Sequence, residues 1–597
     1  MQPPISDYGF LSDLRSSALV SKDGSVDWWC PQRFDSPSVF ARLLDPGGGH
    51  RRLAPAAAGS AGHRVHRSYL PDTLVLRTVH HTPEGSVAVT DALAGEPGAR
   101  AHELGMNSPA VLVRVVEGLS GRVPMTVEFR PRPQYSLTAP YLKERVDGAV
   151  LVRSGPVDLV LRCHGLRLRV DDDRVRQTFE IAEGQVLGFD LAYGAAYGDP
   201  PAELDPVAAV ADTEQAWQAF RELHGYEGRY QDLVRRSATV LTGLTYARSG
   251  AVTAAATTSL PEVIGGDRNY DYRFAWLRDF AMTLRALWVA ACPSESSRLF
   301  AWATRSIGRI GAEPIPVLFG LEGERDAYEH ECPRLAGYAG STPVRVGNDA
   351  WQQRQSDVPG EIVSAAWLLR DYLGDEFDDE MLEMVLGLTE QVAATWRLPD
   401  RGIWEPRDQE RHYLSSKVLC WVAMDRAVRL APHLGERADV PRWVAIRDEI
   451  RATVLREGFD ERRGAYTVAF GSSDLDASAL YLPVMGFLPA DDPRMRATIA
   501  AVERELSGPG GLIRRWQDEP GGFLLCSFWL VECLVMAGER ERAASLFEQI
   551  SGHANDLGLL SEQIDLDSGA HLGNTPQALS HIGLINAAWR LTESDGQ

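Results

Sequence analysis

The sequence lacks an excess of basic residues, and this absence limits the partners that the protein can have. It carries 61 lysine and arginine residues against 82 aspartate and glutamate residues, a formal net charge of −21 over 597 residues. A field of this sign repels the phosphate backbone of nucleic acids and the head groups of anionic lipids. We therefore expect neither nucleic acid nor a membrane as a partner, whereas an uncharged small substrate fits the composition.

Long apolar runs and paired-cysteine motifs are also missing. No stretch of about 18 uncharged apolar residues is present, and the first residues do not show the basic and then apolar pattern of a signal peptide. The seven cysteines are scattered and odd in number, without C-x-x-C spacing. These absences predict a cytoplasmic protein with free, mostly buried thiols.

Motifs of several other enzyme classes do not occur either. The sequence has no phosphate-binding P-loop, no G-x-G-x-x-G after a strand pattern, no H-E-x-x-H and no G-x-S-x-G. Nucleotide-dependent, zinc-protease and serine-hydrolase functions therefore have no support. His330-Glu331-Cys332 is interpreted as a polar loop because no second cluster of metal ligands lies nearby. We expect no metal site and no cofactor.

The first half of the chain shows the period of β-strands. Every second residue of one segment is apolar, as the buried face of a strand requires: Val123, Met125, Val127 and Phe129. The same alternation recurs at residues 157–163 and 166–170, and turn signals such as Ser154-Gly155-Pro156 separate the runs. Many strands with short connections predict an antiparallel β-sandwich, which with a linker helix forms an N-terminal domain over residues 1–226.

After about residue 210 the period becomes that of helices. One apolar face is formed by Ile362, Ala366, Leu369 and Leu373, and another by Ala543, Leu546, Phe547 and Ile550. Gly538 separates two helical segments, residues 528–537 and 540–550, as in a helical hairpin. Repeated hairpins over residues 227–597 predict a second domain in which paired helices form a closed ring.

Two glutamates stand out as candidates for the cleavage of a glycosidic bond, which needs a protonated carboxyl beside the leaving oxygen and a carboxylate that activates water. Glu405 follows Trp404 just before a helical pattern at residues 416–430, and an indole beside its carboxyl would raise the pKa of this acid. Glu562 ends a loop and precedes the small residues 568–570, so it could face an open cavity. A solvated loop acid or a helix cap is the alternative interpretation of either residue, and spacing does not decide between them.

A third segment, residues 266–279, is dense in aromatic residues and in charges of both signs. Aromatic faces stack on the C–H surface of a sugar ring, while arginine and aspartate bind its hydroxyl groups. The segment is therefore a candidate sugar site. A buried ion-pair network at the start of a helix is an equally good interpretation.

Taken in order along the chain, these motifs resemble glycoside hydrolase family 15. The resemblance rests on the Tyr-Asp-Tyr-Arg-x-x-Trp-x-Arg-Asp string at residues 270–279, the Trp404-Glu405 loop and Ser561-Glu562-Gln563. The sequence of residues 6–37 resembles the N-terminal domain of a trehalase-like branch of that family. The family also contains glucoamylases. The resemblance covers nearly the whole chain. It implies a β-sandwich followed by an (α/α)6 barrel, with the substrate pocket at one end of the barrel.

The resemblance also implies roles for individual residues. Glu405 matches the general acid and Glu562 the general base of the family. Arg278 and Asp279 match the pair that binds the hydroxyl groups of the terminal glucose on the side away from the scissile bond. Three aromatic residues would line the same subsite: Trp276, Trp404 and Tyr272. Residues 345–361 resemble another stretch that lines the pocket.

Departures from the family pattern cluster on the leaving-group side. Pro406 follows the general acid, where starch-acting relatives often carry a second acidic residue. Arg268 stands where close bacterial relatives commonly have tryptophan, and Cys332-Pro333-Arg334 and Pro359 are also unusual. These differences concern the identity of the substrate and leave the reaction type unchanged.

We therefore expect an inverting, exo-acting α-glucoside hydrolase that releases β-glucose from the non-reducing end, with trehalose as the first substrate to test. Inversion requires room for a water molecule, so the carboxyl groups of Glu405 and Glu562 should lie roughly 6.5 to 9.5 Å apart. The alternatives are hydrolysis of maltose, isomaltose or short α-glucans, a disaccharide phosphorylase, and a non-catalytic sugar-binding protein. Homo-oligomerisation and a dependence on phosphate or a divalent ion stay open.

Overall fold

The computed structural model describes residues 2–198, 202–308, 315–373, 378–407 and 409–593. Its N-terminal part is built from β-strands, numbered in chain order: β1 (Tyr8–Ser12), β2 (Ser17–Ser21), β3 (Ser25–Cys30), β4 (Phe40–Ala41), β5 (His50–Pro55), β6 (Arg64–Tyr69), β7 (Leu76–Thr82), β8 (Gly85–Leu93), β9 (Val111–Arg130), β10 (Tyr141–Glu144), β11 (Val150–Ser154), β12 (Val157–His164), β13 (Val170–Asp171), β14 (Arg174–Ala182) and β15 (Val186–Ala195).

Strand β9 connects two antiparallel layers because its two halves pair with different neighbours. The first half pairs with β8 and β15, and the second half with β5 and β14. Val123, Met125, Val127 and Phe129 are all buried, which confirms the alternation predicted for this segment. The predicted antiparallel β-sandwich is therefore present.

One predicted strand is wrong. Residues 166–169 lie outside the strands, and only Val170–Asp171 pairs, with the start of β14. The chain leaves β12 at Gly165, whose φ of +109° is a backbone conformation that suits glycine and ends the ladder. Leu168 is nevertheless fully buried, so its apolar character reflects packing of a loop onto the core.

The rest of the chain is mainly helical. After the single turn α1 (Pro133–Ser136), the helices are α2 (Pro206–Gln218), α3 (Gln231–Gly243), α4 (Leu277–Val289), α5 (Pro293–Gly308), α6 (Val358–Leu373), α7 (Asp379–Thr395), α8 (Leu414–Leu434), α9 (Val440–Glu457), α10 (Tyr481–Val484), α11 (Pro493–Leu506), α12 (Leu524–Met536), α13 (Arg540–Ser551) and α14 (Ala578–Glu593). Short strands join them: β16 (Ala275–Trp276), β17 (Leu318–Phe319), β18 (His330–Glu331), β19 (Arg345–Val346), β20 (Phe459–Asp460), β21 (Ala465–Tyr466), β22 (Gly521–Phe523), β23 (Gln563–Asp565) and β24 (His571–Leu572).

Six helices form a closed inner ring, in which each contacts the next: α4, α6, α8, α10, α12, α14 and again α4. The helices α3, α5, α7, α9, α11 and α13 alternate with them along the chain and lie outside. This arrangement confirms the predicted (α/α)6 barrel. The inner helices are buried almost all round, as in α12, where residues 524–535 are all buried.

Several helices outside the ring begin at an aspartate cap. Asp378, Asp439 and Asp492 each accept a backbone N–H of the first turn of α7, α9 and α11. Such a side chain satisfies a donor that the helix itself leaves unpaired. Gly538, with a φ of +85°, separates α12 from α13, as the helical hairpin predicted for this region requires.

The β-sandwich and the barrel share buried contacts. Trp28 donates its indole N–H to the carbonyl of Ala256 (3.0 Å), and the guanidinium of Arg273 donates to the carbonyl of Ser36 (3.1 Å). All seven cysteines are free and five are buried, as predicted. No helix among the described residues combines the length and the apolar character needed to cross a membrane.

Candidate active site

A cavity of about 890 Å³ opens at the end of the barrel where the inner helices begin. It continues into a small enclosed pocket of about 40 Å³, and both parts are lined by Tyr272, Trp404, Glu405 and Arg515. The starts of α4, α8 and α14 contribute Asp279, Ser415 and Leu579 to these walls. Helix N-termini carry partial positive charge, so this end of the barrel favours carboxylates and electron-rich hydroxyl groups.

Glu405 lies in the loop before α8 with its backbone in the left-handed region, at a φ of +58°. The Oε1 atom of its carboxyl accepts two hydrogen bonds, from the indole of Trp276 (2.8 Å) and from Nη1 of Arg278 (3.0 Å). Among the described residues, the Oε2 atom has no hydrogen-bond partner. A glutamate whose one carboxyl oxygen is held in this way presents the other oxygen to the cavity. The left-handed backbone of Glu405 is a strained conformation, and such conformations are concentrated at functional sites.

Glu562 lies next to β23 and only 2% of it is exposed. The hydroxyl of Tyr272 donates to its Oε1 atom (2.9 Å). Burial raises the pKa of Glu562, the nearby Glu262 carboxylate raises it further, and the Arg515 guanidinium and the Tyr272 hydrogen bond oppose the change. The pKa of Tyr272 is itself raised well above its ordinary value, mainly by burial, so its hydroxyl keeps the proton that it donates.

The two glutamates face the same enclosed pocket although 157 positions separate them in sequence. The side chains that hold them also touch each other, because the rings of Tyr272 and Trp276 meet edge to face with centroids 5.6 Å apart. One short segment of chain therefore sets the position of both carboxyl groups.

Arg278 and Asp279 lie in the first turn of helix α4 and form an ion pair between Nε and Oδ1 (2.8 Å). Arg278 also donates to the carbonyl of Ile403 (2.6 Å), which ties α4 to the Glu405 loop. The other oxygen of Asp279, Oδ2, is buried and has no partner within the described part of the chain. Burial raises the pKa of Asp279, and Arg278 opposes this change. A buried acceptor without a partner costs free energy, and a hydroxyl group of a bound ligand would remove that cost.

Trp404 lines the pocket, as expected, but its indole N–H does not contact Glu405. Its indole N–H points to the carboxylate of Asp476 (3.0 Å to either oxygen), and its ring packs against Phe523 and Trp529. The indole that bonds to Glu405 belongs to Trp276 instead. Both tryptophans still line the enclosed pocket, so all seven candidate site residues lie around one space.

Sequence reasoning missed Arg515, which is fully enclosed beside Glu562. Its guanidinium forms close ion pairs with Glu262 and with Glu519, and lies 4.8 Å from the centre of the Phe523 ring. The only sequence signal is a glutamate four residues after an arginine, a spacing that usually marks an exposed pair. Arg268 lies at the rim of the same network, 3.3 Å from Glu262 and 3.5 Å from Glu519.

A group of buried acids behind Glu405 was also not predicted. Asp400 accepts hydrogen bonds from the backbone of Ser356 (2.9 Å) and from the hydroxyl of Ser416 (2.7 Å), and so fixes the loop that leads to Glu405. Asp357 and Glu361, at the start of α6, are buried, and burial raises their pKa values to about 7 and about 8. The stretch 345–361 thus lines the cavity with Arg345 and Asn348 and places acids behind it.

The arrangement can bind a sugar and break one bond to it. Asp279 accepts from hydroxyl groups, the aromatic walls pack against C–H surfaces, and two carboxyl groups stand at the pocket for proton transfer. Across the described residues, no three side chains of histidine, cysteine, aspartate or glutamate gather as a metal site.

Family models match both halves of the chain. Residues 228–589 match the model described as "Glycosyl hydrolases family 15", and residues 1–207 match the model "Trehalase-like, N-terminal". The chain is 37% identical to a protein of Mycolicibacterium smegmatis named trehalase, over 98% of this chain and 91% of that protein. It is 32% identical to a trehalase of Thermoplasma volcanium, over 99% and 94% of the two chains.

Among solved structures, a bacterial glucoamylase complexed with acarbose superposes on 98% of this chain and 93% of its own length. The TM-score is 0.72 at 13% sequence identity. A similarity of this kind concerns the fold, in which a β-sandwich and an (α/α)6 barrel occur in the same order.

Proposed function

Because this chain belongs to glycosyl hydrolase family 15, we propose that it hydrolyses α,α-trehalose with inversion, with Glu405 as the general acid and Glu562 as the general base. The family membership makes the chain a glycoside hydrolase. The proposal concerns the sugar and the residues that act on it. One observation carries the residue assignment: two glutamates far apart in sequence meet at one enclosed pocket, each held there by an aromatic side chain.

The choice of trehalose is supported by the relatives and by the N-terminal half. Relatives named trehalase are 37% and 32% identical over nearly the whole of both chains, and residues 1–207 match a trehalase-like model. Pro406 follows Glu405 at the entrance of the larger cavity, so no second carboxylate directly follows the acid to meet the leaving sugar.

In the proposed reaction, the terminal glucose binds where the enclosed pocket, which by itself is too small for a hexose, joins the larger cavity. Asp279 accepts from its hydroxyl groups, and Arg278 holds Asp279 in place. The Oε2 atom of protonated Glu405 gives its proton to the glycosidic oxygen as the bond from that oxygen to the anomeric carbon breaks. A water molecule on the opposite face attacks the carbon and gives a proton to Glu562. The products are β-glucose and the leaving glucose, and solvent returns the two glutamates to their starting states.

The substrate is tested by incubating the pure protein with trehalose, maltose, isomaltose and a short α-glucan, with and without phosphate, and measuring glucose and glucose 1-phosphate. We expect glucose from trehalose without any need for phosphate as a nucleophile. Glucose from maltose or isomaltose but not from trehalose would overturn the choice of sugar. Glucose 1-phosphate formed only with phosphate would indicate a phosphorylase.

The residue roles are tested by Glu405→Gln and Glu562→Gln. An amide cannot donate the proton, so Glu405→Gln should lower kcat for trehalose by about 10² to 10⁴-fold and spare α-glucosyl fluoride, which needs little acid assistance. Glu562→Gln should lower the rate on both substrates. Proton NMR of the first glucose released by the wild type reports the stereochemistry, and α-glucose as the initial sugar would contradict a base at Glu562.

Two further expectations stay predictions from the sequence, a cytoplasmic location and activity without a cofactor, and the oligomeric state stays open. Gel filtration of the purified protein measures the last. Activity after dialysis against a chelator in phosphate-free buffer measures the second.

A further inference from the structure

The larger part of the cavity is bordered by two arginines that are stacked on one tyrosine and share one carboxylate. Arg345, Arg407 and Tyr270 line this part and are absent from the walls of the enclosed pocket. They therefore lie outside the part of the cavity that Asp279 and Glu562 line. We call Arg345, Arg407, Tyr270 and Glu329 the arginine wall.

Glu329 holds both guanidinium groups of the arginine wall. Its Oε1 atom lies 2.9 Å from Nη1 of Arg407 and 3.0 Å from Nε of Arg345, and its Oε2 atom is a close partner of Arg407 Nη2. The contact with Arg407 uses both oxygens, which fixes the plane of the guanidinium. Arg345 is held further by the carbonyl groups of Asp267 (2.7 Å) and Asn269 (3.0 Å).

Tyr270 supports the same two groups from one face. Its ring centre lies 4.8 Å from the guanidinium carbon of Arg407 and 5.3 Å from that of Arg345. An arginine that is fixed by a carboxylate at its edge and by a ring on one face loses little further freedom when it binds a ligand. The arrangement is thus preorganised, although 41% of the Arg407 side chain is exposed.

Arg407 also has N–H donors left over. Its two terminal nitrogens bond to Glu329, whereas no acceptor for its Nε–H occurs in the described ranges of the chain. Arg407 is joined to Glu405 through Pro406 alone, and the ring of proline fixes one backbone angle of that link. The guanidinium therefore belongs to the same loop as the carboxyl proposed to protonate the leaving oxygen.

We propose that Arg407, fixed by Glu329 and Tyr270, binds the hydroxyl groups of the leaving sugar and sets the affinity for the disaccharide. The inference rests on the proposed function, because it names the residue that meets the second glucose of the same substrate. A neutral hexose suits the wall, since its hydroxyl oxygens accept from a guanidinium whose charge Glu329 partly offsets.

The test compares Arg407→Ala and Arg407→Lys with the wild type on trehalose and on α-glucosyl fluoride, which has no leaving sugar. Loss of a charged hydrogen bond to a hydroxyl should raise KM for trehalose about 10- to 100-fold and change kcat little. The constants for α-glucosyl fluoride should stay within about 2-fold, because that substrate makes no contact with the arginine wall. Lysine should restore part of the affinity, since it keeps a donor but not the fixed plane.

Arg494→Ala is the matched control. Arg494 also has a carboxylate partner, Glu461 (2.8 Å), and an aromatic partner, Phe459 (4.7 Å), but it lies outside the cavity walls. It should leave both substrates unchanged.

Two results would overturn the inference: an equal loss on trehalose and α-glucosyl fluoride, or a fall in kcat for trehalose with an unchanged KM. The proposed function fails separately. If the wild type hydrolyses α-glucosyl fluoride but not trehalose, the choice of sugar is wrong, and the same comparison is then made on whichever disaccharide the wild type cleaves.

Discussion

Asp279 has one oxygen in an ion pair with Arg278 and the other buried without a partner in the described structure. In Asp279→Asn, the amide oxygen can still accept from Arg278, so the fold should persist. The charged acceptor for a sugar hydroxyl is lost, and kcat/KM on trehalose should fall about 10- to 150-fold. A thermal melt close to that of the wild type is the control for folding. Activity within about 3-fold of the wild type would mean that this oxygen does not meet the substrate.

The pH profile should reveal the environment of Glu562. Its pKa is raised to about 8, first by burial and then by Glu262. A general base acts only when ionised, so kcat/KM should climb with pH and level off above the pKa of the free enzyme. Glu262→Gln removes a negative neighbour, which lowers the pKa of Glu562. The rising limb of the pH profile of kcat/KM should therefore move to lower pH.

The measurement is kcat/KM for α-glucosyl fluoride between about pH 5 and pH 9, because this substrate removes the acid Glu405 from the profile. Glu457→Gln is the control, since Glu457 pairs with Arg456 at the surface and should leave the limb in place. A limb that does not move in Glu262→Gln would show that Glu262 and Glu562 do not interact.

For individual residues, the sequence predicts the site residues that belong to a recognisable motif. It does not predict those that only tertiary contacts bring to the pocket. Glu405, Glu562 and the segment with Tyr272 and Trp276 lie around one pocket, and their roles stay predictions. Arg515 does not follow from its neighbours in sequence, because a charged residue looks the same whether solvent or a buried carboxylate neutralises it. The buried acids Asp357 and Glu361 were missed for the same reason.

At the scale of elements, the short hairpin of β23 and β24 positions Glu562. Gly573, which follows β24, has a φ of +72°, and a Cβ atom built on it would lie 2.2 Å from Oε2 of Glu562. Gly573→Ala should therefore displace the carboxyl of Glu562. We expect a large fall in kcat and only a small fall in the melting temperature. Kinetics on trehalose and a thermal melt of the same preparation measure the two effects.

Gly569, in the turn of the same hairpin, supplies a matched control. It has the same φ of +72°, but a Cβ atom there would meet nothing within 4 Å. Gly569→Ala carries the same backbone strain, about 1 kcal/mol, without the contact with Glu562. Equal losses of activity in the two variants would assign the effect to the hairpin backbone and contradict a specific contact.

Elements with a clear period could be predicted from the sequence, and those set by long-range packing could not. The alternation in β9 and the helical hairpin around Gly538 both follow from residue spacing. The strand expected at residues 166–170 is limited to its last residue, because apolar spacing at residues 166–169 serves a loop packed on the core. Repeated hairpins indicated a ring of paired helices, but closure of the ring depends on contacts between α14 and α4, which are far apart in sequence and leave no trace in residue spacing.

For the whole molecule, the contact between sandwich and barrel reaches the active site through one buried arginine. Arg273 pairs with Asp271 (2.6 Å), donates to Ser36 of the N-terminal half, and lies 5.6 Å from the ring of Trp28. Its chain neighbour Tyr272 holds Glu562. The N-terminal half thus supports the segment that positions the proposed base, which explains in physical terms why the two halves share buried polar contacts.

The buried acids also make the stability of the whole molecule depend on pH. Glu361 has an ordinary pKa of 4.5 that burial raises to about 8, and Asp357 is raised to about 7. The folded state keeps these protons where the unfolded chain has lost them, so this contribution to stability is full below about pH 4.5 and is lost as the pH rises through 8. Buried His80 and His581, with pKa values lowered to about 3, act in the opposite direction, but only below about pH 6.5.

Between pH 6.5 and 8.5 the acids therefore act without the opposing histidines, and the melting temperature of the wild type should fall. Glu361→Gln is the decisive variant, because the amide cannot ionise and can still accept from the hydroxyl of Tyr481, which now lies 3.3 Å from Oε2. Its melting temperature should decline less with pH than that of the wild type, so that the difference between the two proteins changes in favour of the variant by about a few degrees. The exposed Glu457→Gln, whose carboxylate pairs with Arg456 at the surface, should follow the wild type throughout. If the curve of Glu361→Gln also runs parallel to that of the wild type, Glu361 is already ionised in the folded protein and burial does not hold its proton.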